Sequence, residues 1–121
     1  MARNAYAPTS APIRTSRGTE YEAFAQVTHR LQSAARGPGR RIKAIAQAVH
    51  ENRQLWTLLA TDVMDDANRL PAQLRGQILY LSEFTRLHSS RVLAAQASLD
   101  PLIDINTAVM RGLRGNPAGA A

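Results

Sequence analysis

Between Ile42 and Val63 the apolar residues Ile42, Ile45, Val49, Trp56, Leu59, Ala60 and Val63 recur at helical spacing, and nowhere does the chain alternate apolar and polar residues as a half-buried strand would. Together these two features restrict the chain to an all-helical fold in which each element buries one stripe against its neighbours. Asn52 and Arg53 fall inside the stripe, where an amide and a guanidinium are costly unless paired.

Proline, glycine and capping residues mark the other elements. Thr19-Glu20-Tyr21-Glu22 has capping-box spacing and predicts a helix start at Thr19, with Tyr21, Phe24, Thr28, Leu31 and Ala35 on one face and a stop at Gly37-Pro38-Gly39. The striped helix follows, from about Arg40 to about Asp66. Pro71 suits the first turn of a third helix, whose face carries Leu74, Ile78, Leu81, Thr85, His88 and Val92. Asp100-Pro101 opens a short fourth helix, with Leu102, Val109 and Leu113 aligned around Asn106, that ends near Gly112 or Gly115. The expected organisation is a flexible N-terminal tail over 1–18, a small all-α bundle of three longer helices plus a short C-terminal helix over 19–115, and a disordered tail over 116–121.

A chain of 121 residues accommodates one core. Cysteine is absent, which removes disulfides and thiolate metal sites. No stretch is apolar for long enough to form a leader or a membrane span, so a cytoplasmic protein is expected. Catalysis needs convergent groups, and few are offered. His29, His50 and His88 stand on separate segments without metal-ligand spacing, Ser89 and Ser90 beside His88 point apart on a helix, and Gly37-Pro38-Gly39 lacks the surroundings of a phosphate loop. The expectation is a non-enzymatic protein with no cofactor, metal or small-molecule substrate.

The net charge of +6 is localised: residues 1–43 hold eight Arg or Lys against Glu20 and Glu22, while residues 44–121 hold seven basic and seven acidic groups. Arg36, Arg40, Arg41 and Lys43 are therefore the candidate RNA contacts, although arginine abundance also follows from a GC-rich genome. Leu55 and Leu58 project away from the stripe of the second helix, and Tyr80, Phe84 and Leu87 flank that of the third. Each contacts another helix or forms an exposed binding edge. Arg53 is expected to clamp the second helix to the fourth near Asn106, and Trp56 to pack in the core.

Taken in order, Asn4-Ala5-Tyr6, Glu20 with Phe24, Val27-Thr28 and Leu31, Asn52-Arg53 with Leu55-Trp56 and Asp62, Leu70-Pro71 with Leu74-Arg75 and Gln77-Ile78, and Leu102-Ile103-Asp104-Ile105-Asn106 with Met110 and Gly112-Leu113 resemble the FlaF family of flagellar biosynthesis regulators. The likeness spans nearly the whole chain; the segment Arg36–Arg41 departs from the pattern. It implies a small cytoplasmic protein that supports flagellin synthesis and export as a flagellin-binding adaptor or secretion chaperone, alongside the opposing regulator FlbT. Asn52, Arg53, Leu55, Trp56, Leu58, Asp62, Tyr80, Phe84, Leu87 and Asn106 are then the candidate partner-binding or helix-clamping residues. An RNA-binding regulator of flagellin messenger RNA is the competing class; a single lysine and six aromatic residues weigh against it.

Overall fold

The computed structural model describes residues 12–37 and 41–115, with side chains described over 20–37 and 41–112. These residues form four helices: α1 (Pro12–Arg36), α2 (Ile42–Met64), α3 (Ala72–Leu93) and α4 (Asp100–Gly115). Three are long and the last is shorter, as the periodicity and punctuation require.

One start differs from expectation. Helix α1 begins at Pro12 and not at Thr19, so residues 12–18 of the supposed tail are helical. Proline lacks only an N–H that a first turn leaves unpaired, and nothing between Ile13 and Gly18 is incompatible with a helix. The expected tails over 1–11 and 116–121, and Arg40, lie outside the described residues.

The junctions are built from local hydrogen bonds. Arg41 precedes α2 and donates from Nη2 to the carbonyl of Ser33 at 3.1 Å, placing a cation against the unpaired carbonyls that end α1. Its guanidinium lies over Gly37, where any Cβ would collide with it. Asp65 Oδ1 accepts from the backbone N–H of Ala67 at 2.8 Å, and Asn68 Oδ1 from that of Leu70 at 3.0 Å, so two side-chain turns lead the chain to Pro71. Helix α3 ends with Ala95 at φ 62, a left-handed conformation that lets the N–H of Gln96 reach the carbonyl of Arg91 at 2.8 Å. The carbonyl of Leu99 then accepts from Leu102 and Ile103 to begin α4.

Helix α2 lies between α1 and α3, α4 rests on α1, and the contact between α3 and α4 is the thinnest in the bundle. Leu31 and Ala34 of α1, Ile45, Ala48 and Val49 of α2, Val92 of α3, and Leu99 and Leu102 at the start of α4 make an aliphatic cluster at one end. Further along, Phe24 meets Trp56 edge to face, with ring centroids 5.6 Å apart and planes at 86°. Each large side chain buried in this way contributes roughly 1.5–3 kcal/mol. The stripes are shorter than their periodicity suggests: Ile42, at the first position of α2, is 68% exposed, and Ala34 replaces Ala35 in the core.

Candidate functional site

The polar residues inside the stripes meet. Asn106 Oδ1 accepts from Trp56 Nε1 at 2.9 Å, and Asn106 Nδ2 donates to Asn52 Oδ1 at 2.8 Å. All three side chains are buried, and they join α2 to α4 across the bundle although those two helices are not neighbours. A buried amide of this kind fixes the axial register of the helices that carry it, because any slip leaves it unpaired. The surrounding layer is less complete. Asn52 Nδ2, Thr28 Oγ1, Thr85 Oγ1 and Ser89 Oγ are buried without a hydrogen-bond partner.

Arg53 is a clamp, but to a different helix. Its Nη2 donates to the carbonyl of Arg86 at 3.0 Å and to Ser90 Oγ at 2.6 Å, both on α3. The expected bond towards Asn106 on α4 is not made. Successive residues on a helix are turned about 100° apart, so when Asn52 faces the interior its neighbour is directed to the adjoining helix, here α3. Ser90, which sequence reasoning considered only as a nucleophile, is the partner it missed.

His88 Nε2 is 2.8 Å from the carbonyl of Ser98, and its ring stacks on Phe84 with centroids 5.3 Å apart. It thus ties α3 to the loop before α4 and is not paired with Ser89 or Ser90. No group of three His, Asp or Glu among the described residues is arranged to hold a metal ion.

The remaining candidates are at the surface. Leu55 is half-buried, whereas Leu58 is 70% exposed. On α3, Tyr80 is 72% and Leu87 52% exposed, with Phe84 between them. Asp62 Oδ2 accepts from Asn68 Nδ2 at 3.2 Å and so belongs to the loop that leaves α2. Among the candidate RNA contacts, Arg36 and Lys43 are exposed and Arg41 is engaged with Ser33. Nearby, Arg30 and Glu51 pair at 2.7 Å across α1 and α2. Bonds from Gln47 first and then Arg30 hold the Glu51 carboxyl below the usual carboxylate range.

These features define a small helical bundle with an internal polar seam and unpartnered apolar side chains outside. The family model described as "Flagellar protein FlaF" matches residues 2–113, and the chain belongs to that family of flagellar proteins. No curated protein matches the chain. No solved structure matches it either. No described helix is long and apolar enough to cross a membrane.

Proposed function

We propose that this protein is a non-enzymatic, cytoplasmic flagellin-binding adaptor or secretion chaperone that supports flagellin synthesis and export and acts alongside FlbT. The observation that carries the reading is the set of large apolar side chains left outside a bundle whose core is already closed: Leu58 on α2 and Tyr80 and Leu87 on α3 are each more than half exposed. Isolated apolar residues on a surface are ordinary, but a spaced row along one helix suits helix-in-groove association with the amphipathic terminal helices of an unassembled flagellin. Membership of a flagellar family supports the same assignment.

The competing reading, an RNA-binding regulator using Arg36, Arg40, Arg41 and Lys43, is weakened by the internal use of Arg41. Co-purification with flagellin, with and without ribonuclease, separates the two. The adaptor reading predicts a complex that survives ribonuclease and varies little with salt. Binding to flagellin messenger RNA with a steep salt slope, and none to flagellin, would establish the competing class.

A further inference from the structure

Helix α3 carries its own evidence about what it binds. Tyr80, Phe84 and Leu87 follow one another at helical spacing along a side of α3 that the rest of the bundle leaves exposed. Beside them Gln73, Gly76, Gln77, Tyr80 and Leu81, all on α3, line a shallow depression open to solvent. Gly76 stands inside α3, where glycine is the poorest helix former after proline. A Cβ at that position would meet nothing within 4 Å, so packing within the bundle does not require a glycine there. What a missing side chain does provide is room for another backbone to come close.

The charges indicate the character of the visitor. Glu83 is the one carboxylate on α3, and it is occupied by Arg86, which donates from Nη2 at 2.6 Å and from Nε at 3.1 Å. Arg75, Arg86 and Arg91 outnumber that carboxylate, and Arg91, exposed four residues beyond Leu87, pairs with no carboxylate among the described residues. The apolar row therefore runs along a helix with an excess of cations and ends at an unpaired one. A second copy of α3 laid on this row would bring the same cations with it, so self-association is electrostatically opposed.

We infer that the row Tyr80, Phe84 and Leu87, together with the shallow surface at Gly76, seats an amphipathic helix of a partner protein whose apolar stripe is edged by carboxylates. From Gly76 to Leu87 the seat is about 17 Å long, or three helical turns, at 1.5 Å per residue. The inference rests on the adaptor reading and adds to it the surface and the charge of the bound segment.

Binding of purified, fluorescently labelled flagellin to the full chain tests it, using Gly76→Trp, the double variant Tyr80→Asp with Leu87→Asp, and Ile42→Asp at the start of α2. All of these positions are exposed, and circular dichroism of each free variant verifies folding; Gly76→Leu replaces any that fails. The expected result is a loss of about tenfold or more for both α3 variants, as at other central anchors, with Ile42→Asp binding like the parent. Parent-like binding by both α3 variants overturns the inference and leaves the adaptor reading standing. Absence of binding by the parent overturns both. A parent dimer that the double variant dissolves, with flagellin binding intact, gives the row to a second copy and likewise overturns the inference.

Discussion

Asn106 accepts a hydrogen bond from Trp56 and donates one to Asn52, so a single amide on α4 satisfies buried groups at two positions of α2. Replacing it with leucine fills similar space but strands the indole N–H and the Asn52 carbonyl. We expect Asn106→Leu to lower stability in urea by about 2–4 kcal/mol, since each stranded buried polar group costs about 1–3 kcal/mol. Thr85 has the opposite expectation. Its hydroxyl is buried without a partner, and the isosteric Thr85→Val should raise stability by about 1 kcal/mol with an unchanged denaturant slope. Destabilisation by Thr85→Val would mean that the hydroxyl has a partner in solution. That Asn52, Arg53 and Asn106 needed partners was legible in the sequence, because burial of such groups is costly. Which partner each takes was not: Arg53 and Asn52 adjoin in the chain, and only the placement of α3 and α4 around α2 sends one to Ser90 and the other to Asn106.

At the level of the elements, four helices and their order follow from stripes broken by Gly37-Pro38-Gly39, Pro71 and Pro101. The start of α1 does not, because Thr19 and Glu22 lie three apart and share a face inside a continuing helix as readily as they form a cap at its beginning. The turn after α3 is another feature hidden from sequence. Ala95 adopts φ 62, which costs an L-residue with a side chain roughly 1–2 kcal/mol and glycine almost nothing. Ala95→Gly should therefore raise the thermal unfolding midpoint by a few degrees, corresponding to about 0.5–1 kcal/mol after glycine's greater freedom in the unfolded chain is deducted. A lowered midpoint would show that the left-handed turn is not the relaxed state of this junction.

In the whole molecule, an aliphatic cluster at one end joins all four helices and a polar seam beside Trp56 ties α2 to α4, while α3 is attached chiefly to α2, in part through Arg53. The helix with the least cover within the bundle also carries the exposed row and the open surface at Gly76. Exposed candidates on α2 and α3 could be named from spacing alone, but their ranking required the fold, since it half-buries Leu55, leaves Leu58 exposed and sets Tyr80 beside Gly76. Hydrogen–deuterium exchange of the protein, free and saturated with flagellin, tests the central claim most directly. Amide exchange in helices reports local opening, which a bound helix suppresses where it lies. Slower exchange along α3 between Gln73 and Arg91, with the junction from Arg36 to Lys43 unaltered, is the predicted result; unchanged exchange in α3, or protection confined to that basic junction, would contradict it.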